Sequence, residues 1–260
     1  MKKLFFILAL MLIVTQSKAD CTLQTLNDTD CFQCGANCVA HVTYEDEIQP
    51  DGSTKSVGTM TLSGQGPMGG WRVTTEPWYA VGNNIQNINI GEGITTIGYN
   101  AFYYFRNLKN IELPQSLTRI YSGGLELCTS LENLTIPDNV IIDTEALETT
   151  GITTLVIPAN TTLSPTAFKA DNGTPTLIEK LYCTPQMIKA CEAAIAYRGD
   201  AAEVVEYIQT SDNQYFVDGK YYARLSDIGT PNYIKKRIYT IDEANRVAKP
   251  TGNTVRIKYR

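Results

Sequence analysis

A six-residue motif with apolar residues at its first, fourth and sixth positions recurs five times between residues 85 and 183. Successive copies begin 23, 23, 21 and 26 residues apart. Self-similarity at this period indicates one supersecondary unit per copy, stacked so that each unit covers the apolar face of its neighbour. The sequence therefore predicts a short repeat solenoid with a parallel β-sheet, built from one strand per copy. The copies begin at Ile85, Leu108, Leu131, Ile152 and Ile178.

Polar residues lie beside the inward apolar pair of each motif, and alternation along a strand turns them outward. Two ladders across the predicted sheet follow. The first is Asn87, Asn110, Asn133, Thr154 and Lys180, and the second is Asn89, Glu112, Thr135, Val156 and Tyr182. We expect a ligand-binding face formed by the three asparagines and the second ladder. The alternative is a purely stabilising ladder, since stacked asparagine side chains hydrogen-bond to one another.

A second apolar cluster follows each motif. In the first copy it includes Phe102 and Phe105, which predicts that Tyr103 and Tyr104 between them form an exposed aromatic edge suited to contacts with protein or sugar. In the second copy Cys128 occupies the position of Phe105, so we expect a buried, unpaired thiol there. Packing of the two tyrosines against an adjacent coil is the alternative.

The pattern L-x-x-I-x-I-P-x-x-V-T-x-I-G-x-x-A-F resembles the BspA-like, or Treponema-type, leucine-rich repeat family. The segment upstream, with its Cys34-Gly-Ala-Asn37 and Pro77-Trp78-Tyr79, resembles the β-rich cap that often precedes such repeats. Together these resemblances cover about residues 31–184. They imply a secreted or surface-displayed binding protein, commonly an adhesin, without a shared active site.

The first 19 residues have the pattern of a signal peptide. Two lysines precede an apolar run from Leu4 to Val14, and Ser17-Lys18-Ala19 forms a small-x-small cleavage site. The run is too short to span a bilayer, so we expect export and no transmembrane segment after cleavage. The predicted organisation is a signal peptide at 1–19, a β-rich cap at 20–84, repeats at 85–184 and an α+β module at 185–260.

The chain carries a net charge of −5, and signal removal takes away three further lysines. An acidic surface repels phosphate backbones, which argues against nucleic acid as a partner. Residues 235–260 are an exception, with eight basic and two acidic side chains. Arg256, Lys258 and Arg260 alternate with apolar residues there, which predicts a basic strand face.

Seven cysteines in an exported chain indicate disulfide bonds with one thiol left over. Cys183 and Cys191 form one plausible pair. The remaining candidates cluster near the N-terminus and allow three pairings: Cys21, Cys31, Cys34 and Cys38. A zinc site or a redox Cys-x-x-C is the alternative for that cluster, but neither a second Cys-x-x-C nor a thioredoxin-like frame accompanies it.

Beyond Thr184 the sequence predicts that the period is lost. Pro185 predicts the start of a helix, and Asp218-Gly219 predicts a type I′ hairpin between two strands. A strand at 236–240, a helix begun by the capping box of Thr240 and Glu243, and the basic strand are expected to follow.

Catalytic signatures are weak. His41 is the single histidine and has no nucleophile motif beside it. The glycine pattern at 64–69 has the letters of a dinucleotide fingerprint. Pro67, within this pattern, prevents the segment from opening the helix that such a fingerprint requires. We therefore expect no enzyme activity, cofactor or metal.

Two functions remain. The first is adhesin-like binding of a protein or glycan on a host or neighbouring cell through the repeat face, and the short, lysine-led signal indicates a bacterial origin. The second is a structural envelope or matrix component that docks to an anionic surface through the basic C-terminal module.

Overall fold

The computed structural model describes residues 21–27, 29–169, 177–198, 202–210 and 213–228. The predicted signal peptide and every element predicted beyond Ile228 lie outside these residues. The elements in chain order are β1 (Cys31–Gly35), β2 (Cys38–Ile48), β3 (Thr54–Gly64), β4 (Gly66–Pro67), β5 (Ile85–Ile90), β6 (Ile94–Ile97), β7 (Asn110–Glu112), β8 (Arg119–Ile120), β9 (Ile141–Ile142), β10 (Thr154–Ile157), β11 (Thr162–Leu163), β12 (Lys180–Cys183), α1 (Ile188–Arg198), β13 (Glu203–Glu206), β14 (Ile208–Gln209), β15 (Tyr215–Val217) and β16 (Lys220–Tyr222).

The repeats form a solenoid with parallel sheets, which confirms the predicted fold class. The first row of strands pairs β3 with β5 and β5 with β7, and then β10 with β12 and β12 with β13. A second row runs β4, β6, β8, β9 and β11, also parallel. The prediction of one strand per copy is therefore wrong. The apolar residues after each motif, such as Ile94 and Ile97, also lie on extended backbone and point into the coil.

The coil interior is a continuous apolar core. Equivalent residues of successive coils are almost completely buried: Ile88, Ile111, Leu134, Leu155 and Leu181 in the first row, and Ile97, Ile120, Ile142 and Leu163 in the second. Cys128 is a buried free thiol at the position of Phe105, as predicted. Burial raises its thiol pKa far above the ordinary value.

The upstream cap is an antiparallel β1–β2–β3 sheet that merges with the solenoid where β3 pairs with β5. Trp78 fixes this junction. Its fully buried indole donates from Nε1 to the carbonyl oxygen of Ala101 at 2.7 Å and stacks on Phe102. Two disulfides, Cys21–Cys31 and Cys34–Cys38, close the cap, so one of the three open pairings is formed.

The parallel sheet continues one strand beyond the last predicted copy. Lys180 of β12 pairs with Glu203 of β13, 23 residues later, so the expectation that the period is lost beyond Thr184 is wrong. Helix α1 connects these strands; it begins at Ile188, three residues after Pro185. Cys191 on this helix and Cys183 on β12 are both free. The predicted disulfide between them is therefore wrong for this structure: their buried thiols are joined by a hydrogen bond, and that contact, together with burial, raises the pKa of Cys191.

The predicted Asp218-Gly219 hairpin is confirmed. β15 pairs with β16, and both turn residues have positive φ, 49° and 75°. The hairpin contributes to a second apolar cluster against the outer side of the first row, formed by Tyr182, Val205, Tyr207, Val217, Tyr222 and Ile228. Residues 207–210 and 213–228, which include the hairpin, are here called the hairpin region. The buried Tyr207 hydroxyl donates to the carbonyl oxygen of Ile157 at 3.0 Å and so links this region to the fourth coil.

Candidate ligand-binding face

The outer side of the first row, here called the strand face, has three different parts. In its upstream part, adjacent strands pair in register, and outward-facing side chains of successive strands hydrogen-bond to one another. Asn110 Nδ2 donates to Asn87 Oδ1 at 2.8 Å, and Asn87 Nδ2 approaches Thr59 Oγ1 at 3.4 Å. Asn89 lies beside Glu112 in the same pair of strands, with Asn89 half-buried and Glu112 exposed.

The middle part of the strand face is interrupted at the third coil. Residues 132–136 keep the inward alternation of the motif, since Leu134 and Ile136 are buried. In the described part of the chain, however, these five residues form no backbone hydrogen bond with either neighbouring coil. The first row is consequently divided into two separate sheets at this point. Asn133 and Thr135 are exposed and lie outside the hydrogen-bonded ladder.

A groove of about 350 Å³ lies over this interruption. Its floor comes from the third and fourth coils, and its wall comes from the short 3₁₀ turn at Leu225–Asp227 and the next residue. A bidentate ion pair from Arg224 to Asp227, at 3.0 and 2.9 Å, holds the turn. The lining residues are Glu132, Asn133, Leu134, Thr135, Ile136, Thr153, Thr154, Val156, Leu225, Ser226 and Ile228.

The groove combines an apolar side with polar groups. Val156, Leu225 and Ile228 supply aliphatic surface, while the threonines and Asn133 supply uncharged donors and acceptors. Glu132 is exposed and has no ion-pair partner among the described residues, so its carboxylate gives the groove one negative charge. Concave sites with apolar walls and a few polar groups are the usual form of ligand pockets.

The downstream part of the strand face is covered. Tyr182 pairs with Val156 in register, as the ladder predicts, but it is only 7% exposed because the hairpin region packs over it. The expectation that its side chain faces solvent is therefore wrong. Burial raises the pKa of its hydroxyl. Lys180, the last member of the first ladder, is engaged by Glu203 at 2.8 Å.

The predicted aromatic edge lies on the turn that follows the second row, away from the groove. Tyr104 is partly exposed and Tyr103 half-buried, and their rings stack with centroids 5.9 Å apart. The Arg106 guanidinium lies 4.0 Å above the Tyr104 ring. Burial, and then the nearby Glu126, raises the pKa of Tyr103.

A second aromatic stack was not foreseen. Tyr99 and Tyr121 approach with ring centroids 4.7 Å apart, and the Arg119 guanidinium covers Tyr121 while Asp143 holds it in a bidentate ion pair. That ion pair raises the pKa of Arg119. The two tyrosines occupy different positions within their copies, so alignment of the repeats does not reveal the contact.

Three carboxylates, those of Glu126, Glu145 and Glu148, come within 4.8 Å of one another beside the solenoid. Lys169 Nζ contacts Glu145 at 2.9 Å and supplies a positive charge to the group. We therefore assign no metal to it. His41 lies half-exposed on β2, as expected. None of the described helices is long and apolar enough to cross a membrane.

Comparison with known proteins identifies the repeats. Residues 79–174 match the model of the BspA type leucine-rich repeat region in six copies. The repeats belong to the BspA-type leucine-rich repeat family. This confirms the resemblance derived from the motif, and the match begins six residues before Ile85. No curated protein gives a significant match to the chain.

Several solved structures with detectable similarity are described as leucine-rich repeat proteins. One, from Eubacterium ventriosum, is 14% identical, covers 73% of this chain and 48% of its own, and has a TM-score of 0.42. The Treponema pallidum leucine-rich repeat protein is 16% identical over 54% of this chain and 68% of its own, with a TM-score of 0.34. The pneumococcal vaccine antigen PcpA is 20% identical over 47% of this chain and 36% of its own, with a TM-score of 0.30. This chain thus spans about half the length of the Eubacterium protein. Because every TM-score is below 0.5, the assignment depends on the repeats themselves.

The family indicates a binding or surface protein and is generally non-catalytic. Leucine-rich repeat proteins commonly bind other proteins.

Proposed function

We propose that the chain is a secreted or surface-displayed, non-catalytic binding protein of adhesin type, and that it engages a protein on a host or neighbouring cell through the strand face. The observation that carries this proposal is the continuity between the exposed residues of the upstream face and the groove. Glu112 and Asn110 lead to Asn133 and Thr135, which line the groove. A ligand lying across the solenoid contacts this whole stretch.

The size of this face sets the expected affinity. At a strand spacing of about 4.8 Å, β5, β7 and the third coil together are roughly 10 Å across, so the area that they expose is well below the ~800 Å² per partner of a standard interface. The downstream strands are moreover covered by the hairpin region. Single contacts should be weak, so display of many copies is needed to raise avidity.

The test is attachment of the fluorescently labelled mature protein to epithelial cells and to bacterial cells, measured by flow cytometry. We expect the triple variant Glu112→Ala, Asn133→Ala, Thr135→Ala to lose attachment by about tenfold or more, because all three exposed side chains belong to the proposed interface. The matched control replaces three exposed polar residues on other surfaces, Gln115, Asn160 and Thr162, with alanine. It should bind like the parent.

The alternative from the sequence, docking to an anionic surface, is measured in the same assay. Neutralising Arg256, Lys258 and Arg260, which lie outside the described residues, would then abolish attachment, and moderate salt would release the parent protein. Attachment that survives the strand-face triple variant but fails in this second variant would overturn the proposed function.

A further inference from the structure

The interruption at the third coil creates strand edges inside the solenoid. The segment 132–136 has two such edges, and β7 and β10 each present one toward it. In the coils on either side the corresponding groups are paired, as in the bond from the Lys109 N–H to the Gln86 carbonyl at 2.8 Å. Unpaired strand edges are templates for pairing with another chain, and a solenoid normally exposes them only at its two ends.

The unpaired groups favour one class of ligand. Main-chain N–H and C=O groups withdrawn from water without a partner cost free energy, and an extended polypeptide satisfies them in alternation along its length. Residues 132–136 line the groove, so an extended peptide placed there contacts this segment together with the apolar residues Val156, Leu225 and Ile228.

Charge specifies the ligand further. Among the described residues, Glu132 is the one charged side chain that lines the groove, and it is exposed and has no ion-pair partner there. A Lys or Arg side chain complements it, whereas an acidic side chain is repelled. The Arg224–Asp227 ion pair fixes the wall before a ligand arrives, which lowers the entropic cost of binding.

We propose that the groove binds an extended peptide segment that carries a basic residue next to an apolar one, and that the peptide main chain pairs with residues 132–136. The inference rests on the proposed binding function of the strand face and names the chemistry of the ligand at one part of it. The turn at Leu225–Asp227 and the unpaired segment 132–136 together form the site.

The test is fluorescence polarisation of the full mature protein with dye-labelled hexapeptides in which valine alternates with lysine, glutamine or glutamate. We expect the affinity to fall in that order. A lysine peptide with alternate amides N-methylated keeps its side chains but loses half of its N–H donors, and should bind at least about tenfold more weakly. Equal binding of the methylated peptide would overturn the main-chain pairing.

Two variants locate the binding. Ser226→Trp places a large ring in the groove at an exposed position and should abolish peptide binding, while the matched Ser53→Trp at the exposed tip of the cap hairpin should leave it unchanged. Glu132→Gln should remove the preference for lysine over glutamine. Peptide binding that is unaffected by Ser226→Trp, or absent for the whole peptide set, would overturn the proposal.

The same variants separate this inference from the proposed function. If Ser226→Trp loses peptide binding and retains cell attachment, the groove binds peptides but is not the attachment site. If maltohexaose binds and Ser226→Trp removes that binding while no hexapeptide binds, the groove takes a glycan and the peptide proposal is wrong. If attachment is lost in the strand-face triple variant but no peptide binds, only the inference about the groove fails.

Discussion

The second and third coils contain nearly the same motif. The main chain of the second coil's motif pairs with a neighbouring coil, whereas that of the third does not. Asn110 and Asn133 occupy the same motif position, and the inward residues Ile111 and Leu134 are both buried. Yet Asn110 belongs to a paired strand and a hydrogen-bonded ladder, whereas Asn133 lies in an unpaired segment at a groove. The break coincides with the shorter, 21-residue step to the fourth copy. The apolar pattern therefore sets which side chains point inward, but not whether adjacent coils pair.

The largest expected effect comes from core truncations that compare the two coil types. Ile88→Ala, at a fully buried position between paired strands, should lower the free energy of unfolding by about 2–5 kcal/mol. Leu134→Ala should cost about 2 kcal/mol, the lower end of that range, because its unpaired main chain can move inward to reduce the cavity. Urea denaturation measures both, and a larger loss for Leu134→Ala would contradict the difference between the coils.

A pH dependence should be specific to the upstream region. Glu76 is only 3% exposed beside Trp78, its carboxylate oxygens have no hydrogen-bond partner among the described residues, and burial raises its pKa above the ordinary 4.5. A raised pKa means that Glu76 favours the folded state below pH 4.5, and that this contribution is lost as pH rises through the folded pKa.

Glu76→Gln should therefore increase stability at pH 7 and change it little at pH 4. Thermal unfolding followed across this range checks the prediction. An unchanged pH dependence in the variant would show that Glu76 is solvated in solution.

The covered downstream part of the strand face should depend on Tyr207. Tyr207→Phe removes a buried hydroxyl and leaves the Ile157 carbonyl without that donor, at an expected cost of about 1–2 kcal/mol. Its neighbour Tyr182, which is buried in the parent protein, should become accessible to a quencher if the hairpin region loosens. Chemical unfolding and tyrosine fluorescence with acrylamide report these effects, and a neutral substitution would mean that the hairpin region does not depend on this bond.

The smallest expected effect compares the two asparagines directly. Asn110→Ala removes a side-chain hydrogen bond on the paired part of the face and should cost about 0.5–1.5 kcal/mol. Asn133→Ala should change stability by less than about 0.5 kcal/mol, because its exposed side chain is outside the ladder. Equal costs in the same unfolding assay would indicate that the ladder extends into the third coil in solution.

Sequence patterns predicted the parts of the fold that local alternation determines. The positions of the first-row strands β5, β7, β10 and β12, the ladder contact between Asn87 and Asn110, and the burial of Cys128 all follow from the motif and its period. The Asp218-Gly219 turn was equally predictable because type I′ geometry needs positive φ at both residues.

Features that depend on contacts between distant segments were not predictable. Tyr182 is buried because a hairpin more than thirty residues later packs over it. The turn after the second row requires positive φ at Tyr104, Leu127 and Thr149, equivalent residues of three copies. Left-handed backbone at such residues costs energy that only the stacked neighbours offset, and no glycine in the sequence marks it. The repeat pattern does not indicate that residues such as Leu225 and Ser226 form the wall of a groove.

Hydrogen exchange of individual backbone amides tests the interruption at the third coil most directly. We expect the amides of residues 133–136 to exchange early, those of Ile88 and Ile111 to be protected by their paired coils, and the lysine hexapeptide to slow exchange at 133–136 alone. Equal protection of these amides in all three coils, without peptide, would contradict the absence of main-chain pairing at residues 132–136 and remove the basis for a peptide groove.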